Sequence, residues 1–138
     1  MYDKILVTLD ATPTDRAIIE HVKALARIMN SRVVLLHVAD GWAARTFGAD
    51  AVSPEISEDT AYLQEVQNEF QSAGIPAEAE LAFGEPGEQI IRWVHEKKCD
   101  LVAMSTHGHQ LFTNVLFGMT VDRVRRASSV PVLLARSV

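Results

Sequence analysis

The chain has 138 residues, of which 48% are hydrophobic and 22% charged, and its formal net charge at pH 7 is −5. This length and composition are typical of one folded domain, which we expect to cover residues 1–138. The acidic balance argues against a nucleic-acid partner, and no apolar run approaches the roughly 20 residues that would cross a membrane. The opening residues lack a secretory pattern and the single cysteine, Cys99, permits no intrachain disulfide, so we expect a cytoplasmic protein.

The chain opens with a predicted strand, helix and second strand. The runs KILVTL at 4–9 and RVVLLHV at 32–38 are apolar without alternation, which is typical of strands buried on both faces of a parallel sheet. Between them, residues 14–29 repeat apolar side chains at helical spacing, after a proline that favours a helix start. The face predicted to point inward consists of Ile18, Val22, Leu25, Ala26 and Met29.

The middle of the chain contains one irregular stretch. Residues 39–57 show neither the apolar spacing of a helix nor the alternation of a strand. About 19 such residues in a compact domain predict a functional or mobile loop. Its aromatic residues Trp42 and Phe47 have two interpretations: they close over a ligand as a lid, or they pack on the domain surface. The alternating segment AEAELAF at 77–83 predicts an exposed edge strand. Before it, residues 58–73 predict a helix whose buried stripe consists of Tyr62, Leu63, Val66, Phe70 and Ala73.

In the last part of the chain, predicted helices again alternate with predicted strands. Residues 86–98 predict a helix with an apolar inner face, and DLVAMS at 100–105 predicts a buried strand. A further helix is expected to begin near Gly118, and VPVLLA at 130–135 predicts the final strand. The inner faces of these two helices are predicted to carry Ile90, Ile91 and Val94, and Val121, Val124 and Ala127.

This order of elements predicts the fold class. Strictly alternating strands and helices indicate an α/β three-layer sandwich with right-handed crossovers. We expect a five-stranded parallel sheet in the flavodoxin-like order 3-2-1-4-5. In such sheets ligands bind beyond the carboxyl ends of the strands where the strand order reverses, here between the first and fourth strands.

The segment STHGHQLFTNVLFGMT at 105–120 begins at that expected reversal point. Gly108 permits close backbone approach, Ser105 supplies a hydroxyl group, and a helix start near Gly118 would present free N–H groups to an anion. The alternative is that Gly108 serves a turn and Gly118 only starts a helix, and spacing alone leaves both open. Neither GxxxxGK(S/T) nor GxGxxG occurs, so nothing indicates a P-loop or a dinucleotide site.

Other polar residues near the strand ends have competing interpretations. Asp10 follows the first strand, where its carboxylate could bind a ribose or base, or could cap the first helix in competition with Thr12. His107 and His109 form an H-x-H pair, but no cysteine or further histidine accompanies them, so we expect no metal site. His37 is predicted to be a packed residue at the end of its strand.

Several segments, taken in chain order, resemble the universal stress protein family over nearly the whole length. YDKILVTLDATPTDRAI resembles the family's first strand and the loop after it, and VVLLHV its second strand. GEPGEQII resembles its turn into the third helix, VPVLLAR its terminal strand, and segment 105–120 its nucleotide motif G-x2-G-x9-G-(S/T). The resemblance implies an adenine-nucleotide alpha-hydrolase-like fold and an ATP-binding module of the stress response.

The resemblance also implies which residues meet the nucleotide, either ATP with Mg²⁺ or AMP. Asp10 and Val38 would meet the ribose and adenine, while Ser105 replaces the first motif glycine and Met119 replaces the Ser or Thr after the third. Thr8 stands where the family often has proline. The full implied set is Thr8, Asp10, Val38, Met104, Ser105, His107, Gly108, Gly118, Met119 and Thr120.

The two departures from the motif leave three functional hypotheses. The first is a nucleotide-binding signalling module, and the second is a protein-interaction module whose nucleotide site no longer binds. The third is an ATPase, which would need positioned cations or metal ligands that the segment does not offer, so we predict no catalytic residue. An apolar final strand at the edge of the sheet predicts pairing with a second copy, and the family resemblance implies a homodimer formed in this way.

Overall fold

A computed structural model describes residues 1–39, 54–106 and 120–136. Within these ranges five strands alternate with four helical segments, and the predicted order of elements is confirmed. The elements are β1 (Lys4–Thr8), α1 (Asp15–Met29), β2 (Arg32–Ala39), α2 (Pro54–Ser72), β3 (Ala77–Phe83), α3 (Pro86–Lys97), β4 (Leu101–Thr106), α4 (120–127) and β5 (Val132–Arg136).

The five strands form one parallel sheet in the order β3-β2-β1-β4-β5, which confirms the predicted topology. β1 lies at the centre, where Val7 is level with Leu35 of β2 and with Ala103 of β4. β3 forms one edge, as its alternating sequence predicted, and β5 forms the other. Because the strand order reverses between β1 and β4, the carboxyl edge at these two strands is where this fold class forms a ligand groove.

Helices cover both faces of the sheet and define two hydrophobic cores. The first core joins one face to α1 and α2 and includes Ile5, Val7, Ile18 and Phe70, all fully buried. The second joins the opposite face to α3 and α4 and includes Leu6, Val34, Met104 and Val124. Ile5, Leu6 and Val7 of β1 are thus buried in alternate cores, which explains why the middle of the strand is apolar at consecutive positions rather than at every second one.

Two predicted boundaries are corrected. β2 continues through Ala39, and α2 begins at Pro54 rather than near residue 58. Residue 39 and residues 54–57 of the predicted loop 39–57 therefore belong to a strand and a helix. Residues 40–53, with the lid hypothesis for their aromatic side chains, lie outside the described residues. Of the helices within the described ranges, none has the length and apolar character needed to cross a bilayer.

Candidate functional site

The predicted site residues on β1, β2 and β4 lie close to the carboxyl edge of the sheet. Thr8 and Met104 directly follow Val7 and Ala103, which are level with each other in the β1–β4 pair. Met104 is fully buried in the second core and Thr8 is nearly so, while Val38 on β2 packs partly against the same core. The side chains of these three residues therefore lie mostly below the protein surface at the carboxyl edge of the sheet.

Ser105 is the most informative of the predicted residues. It lies near the end of β4, beside Ala135 of β5, and only 1% of its surface is exposed. None of the residues that the structure describes gives its Oγ a hydrogen-bond partner. A buried hydroxyl left in this state costs about 1–3 kcal/mol, so the group is available to a ligand or to an ordered water.

Asp10 follows β1 at the same edge of the sheet, as predicted. The pKa of its carboxyl group is raised from 3.8 to about 7, mainly by burial and next by the nearby carboxylate of Asp15, against a smaller lowering by His37. At neutral pH the carboxyl group is therefore present in both protonation states. It can accept a hydrogen bond in one state and donate one in the other.

The turn after β1 is held by a buried aspartate that sequence reasoning missed. Asp15 has no exposed surface, and its carboxylate accepts the N–H groups of Asp10, at 3.0 and 3.2 Å, and of Ala11, at 2.9 Å. These bonds stabilise the left-handed conformation of Ala11, whose φ is 62°. The hydroxyl of Tyr62 donates a further hydrogen bond of 2.6 Å to the same carboxylate.

The expectation that Asp10 or Thr12 caps α1 is wrong. Thr14 occupies the N-cap position, and its side chain makes no capping hydrogen bond. The first N–H groups of the helix donate to backbone instead: the N–H of Asp15 to the carbonyl oxygen of Thr12 at 3.0 Å, and that of Arg16 to Pro13 at 3.2 Å.

His37 on β2 is packed at the strand end, as predicted, but its partners were not foreseen. Its Nδ1 lies 2.7 Å from the carbonyl oxygen of Leu9, and its Nε2 lies 3.1 Å from Oδ2 of Asp59 on α2. The side chains of His37 and Asp59 are only 13% and 11% exposed. Both ring nitrogens are thus engaged within the protein, and neither is left to act on a substrate as a general base.

Three residues of this arrangement escaped sequence reasoning: Asp15, Asp59 and Tyr62. Tyr62 was assigned to the apolar stripe of its helix, although its phenol also carries a donor that needs a partner when buried. Asp59 lies three positions before it, and residues at this spacing share one helix face. The sequence did offer one signal for these polar contacts: Asp59 and Tyr62 share a helix face that was predicted to be buried.

The remaining predicted residues are only partly covered by the structure. Thr120 is the first described residue of α4 and is half-buried. His107, Gly108, Gly118 and Met119 lie outside the described residues, and so does His109. Among the residues that the structure does describe, no group of three His, Cys, Asp or Glu side chains could hold a metal ion.

Comparison with known proteins establishes the family. The sequence profile of the universal stress protein family matches residues 1–136. The chain belongs to the universal stress protein family. It is 24% identical to universal stress protein MJ0577 of Methanocaldococcus jannaschii, over 99% of this chain and 96% of that protein. It is 27% identical to universal stress protein C of Escherichia coli K12, over 96% of this chain and 94% of that protein.

Solved structures agree with the fold of this universal stress protein. A structure of MJ0577 superposes with a TM-score of 0.82 at 26% identity, covering 99% of this chain and 96% of that one. A universal stress protein in complex with cAMP gives a TM-score of 0.79 at 19% identity, covering 99% of each chain. A universal stress protein from Archaeoglobus fulgidus in complex with dAMP gives a TM-score of 0.71 at 17% identity, covering 97% of this chain and 98% of that one. The resemblance inferred from sequence is confirmed, and with it the fold class.

Proposed function

We propose that this universal stress protein binds an adenine nucleotide at the carboxyl edge of β1 and β4 and acts as a ligand-dependent module of the stress response. The observation that carries the proposal is the buried hydroxyl group of Ser105, which lacks a hydrogen-bond partner among the described residues at the point where the strand order reverses. Two proteins of the same fold hold cAMP and dAMP, and these ligands support an adenine nucleotide as the ligand class.

The finer proposal is that the nucleotide is ATP, with AMP as the alternative at the same site. Asp10 suits a contact with ribose or adenine because its carboxyl group can both donate and accept a hydrogen bond near neutral pH. Ser105 suits a phosphate oxygen, to which its hydroxyl can donate. Mg²⁺ would accompany ATP, bound mainly by the phosphate oxygens, as is usual for this ion.

Met119 should make binding weaker than in a relative that carries the complete motif. A serine at this position would add one hydrogen bond to a charged oxygen, worth roughly 1.5–3 kcal/mol, or about ten- to a hundredfold in affinity. The backbone N–H groups at the start of a helix attract a phosphate whatever the side chain. The site therefore survives the loss of the hydroxyl group but is weakened by it.

Calorimetric titration with ATP and with AMP tests the proposal. We expect wild type to bind, Ser105→Ala to bind about tenfold more weakly, Met119→Ser to bind more tightly, and Gly118→Val to lose binding. Denaturing freshly purified protein and analysing the released nucleotides checks for a ligand already bound. No heat in any variant, together with no adenine nucleotide released, would overturn the proposal and favour the protein-interaction hypothesis.

We also propose a cytoplasmic homodimer that pairs through β5. β5 forms an edge of the sheet, and its Leu134 is 43% exposed, which is unusual for a large apolar side chain within a strand. Pairing of β5 with its copy would cover this side chain and extend the sheet across a two-fold axis. The thiol of Cys99 is buried and unpaired, in agreement with a reducing compartment.

A further inference from the structure

One peptide group at the candidate site is held from both sides. The peptide between Leu9 and Asp10 has its carbonyl oxygen 2.7 Å from Nδ1 of His37, and its N–H group donates to the carboxylate of Asp15 at 3.0 and 3.2 Å. The two partners come from different elements, since His37 lies on β2 and Asp15 opens α1. Together they fix the plane of the Leu9–Asp10 peptide group, and the Asp10 side chain is attached to the Cα atom that follows this group.

Both holding side chains are in turn bonded to α2. Oδ2 of Asp59 lies 3.1 Å from Nε2 of His37, and the hydroxyl group of Tyr62 donates to Oδ2 of Asp15 at 2.6 Å. Asp59 and Tyr62 are three residues apart and therefore lie on one face of the helix. We call these the histidine arm (Asp59, His37) and the tyrosine arm (Tyr62, Asp15).

We propose that Asp59 and Tyr62 are positioning residues, through which α2 sets the orientation of the Leu9–Asp10 peptide and hence of the Asp10 carboxyl group toward the nucleotide. The part of this inference that concerns affinity rests on the proposed function. The part that concerns the peptide does not, because every contact in both arms lies within the protein. A helix on one side of the sheet thereby gains influence over a ligand at the edge of the sheet.

The histidine arm is defined by the two contacts of the imidazole ring. A carbonyl oxygen can only accept, so Nδ1 of His37 is the donor in its contact of 2.7 Å with Leu9. On the other side of the ring, Nε2 lies 3.1 Å from Oδ2 of Asp59, and this contact ties the ring to α2. Without the side chain of Asp59, nothing in the arm would connect the ring to this helix.

In the tyrosine arm the phenol of Tyr62 is the donor. Burial and the hydrogen bond to Asp15 raise the pKa of this phenol above its usual range, so it keeps its proton at neutral pH. Among the described residues, the other charged groups that act on the two arms are Asp10 and Arg16. Each arm ends in one side chain of α2, so a single substitution on this helix removes one arm and leaves the other.

Asp59→Ala removes the histidine arm, because alanine leaves Nε2 of His37 without its partner on α2. Asp59→Asn is the conservative variant, since an amide of the same length can both donate and accept and so can restore the bond to Nε2. Tyr62→Phe removes the other arm while keeping the ring. Glu65→Gln is the matched control, since it neutralises an exposed carboxylate on the same helix.

The experiment follows the backbone amides of Asp10 and Ala11 and the ring nitrogens of His37 by NMR in nucleotide-free protein. In Asp59→Ala and in Tyr62→Phe we expect both amide signals to be displaced from their wild-type chemical shifts. Glu65→Gln should leave them unchanged, and Asp59→Asn should return them toward the wild-type values.

Calorimetry with AMP then tests transmission to the ligand. We expect Asp59→Ala and Tyr62→Phe to bind AMP about three- to tenfold more weakly than wild type and Glu65→Gln. Amide signals that keep their wild-type chemical shifts in both Asp59→Ala and Tyr62→Phe would overturn the positioning role. If the amides respond as expected but wild type binds no nucleotide, the proposed function fails while the control of the Asp10 peptide stands.

Discussion

Replacing Asp10 with asparagine should stabilise the protein at alkaline pH. The pKa of the Asp10 carboxyl group is raised from 3.8 to about 7 by burial and by Asp15, so the folded state binds more protons than the unfolded state between these values. Stability is therefore lost as pH rises through this window, and the loss is complete above about pH 7. The difference corresponds to about 4 kcal/mol, and partial exposure of the group reduces the expected gain to about 2–4 kcal/mol. Asparagine has no charge to desolvate and avoids this loss.

Urea unfolding of wild type and Asp10→Asn between about pH 4 and 8 measures the effect. The two proteins should have nearly equal free energies of unfolding at pH 4, and the difference should grow up to pH 7 and then remain constant. Asp3→Asn at the opposite edge of the sheet is the control, because it removes the same formal charge from an exposed position. A variant that is equally stable at pH 8, or whose advantage does not change with pH, would refute the reasoning.

The same substitution should weaken nucleotide binding. An asparagine cannot alternate between donor and acceptor at one oxygen, and it carries no charge to complement a ligand. A carboxyl group that lowers stability at neutral pH yet lies at the ligand edge of the sheet is the kind of compromise expected of a functional residue. Stability gained together with affinity lost in Asp10→Asn would place Asp10 in that class.

Three further outcomes are expected. Tyr62→Phe should lower the free energy of unfolding by roughly 1.5–3 kcal/mol, measured by urea unfolding, because the carboxylate of Asp15 loses one hydrogen bond. Native Cys99 should react with a thiol reagent much more slowly than unfolded protein at pH 8, since burial raises the pKa of its thiol to about 11. Sedimentation of wild type should give twice the monomer mass of 15.2 kDa, and Leu134→Glu should shift it to monomer; a wild-type monomer at micromolar concentration would contradict pairing through β5.

The strands and their order were predictable because burial leaves a direct trace in the sequence. Ile5, Leu6 and Val7 of β1 alternate between two cores, so consecutive positions must be apolar, whereas β3 at the edge alternates polar and apolar side chains. The number and order of helices and strands then restrict the sheet to few topologies. The same logic predicts that Thr8, Asp10 and Ser105 lie at one edge of the sheet.

Element ends were less predictable because they depend on contacts that are distant in sequence. The composition of 54–57 does not distinguish a loop from a first helical turn, and the structure places these residues in α2. The expected cap of α1 was also wrong, since Thr14 occupies the N-cap position, while Asp15 after it accepts N–H groups from the preceding turn. Nothing local in the sequence shows that Tyr62, 47 residues later, supports that carboxylate.

The sequence by itself determined the family and the parallel sheet, and it predicted the edge at which we propose that a ligand binds, because each depends on apolar periodicity and on motifs along the chain. Only the tertiary structure decided the surroundings of the individual polar groups at this edge. The raised pKa of Asp10, the hydroxyl group of Ser105 without a partner among the described residues, and the two arms from α2 arise where several elements exclude water around polar groups. Burial and hydrogen bonding act through space, and their effect on a side chain is set by neighbours that the order of residues does not reveal.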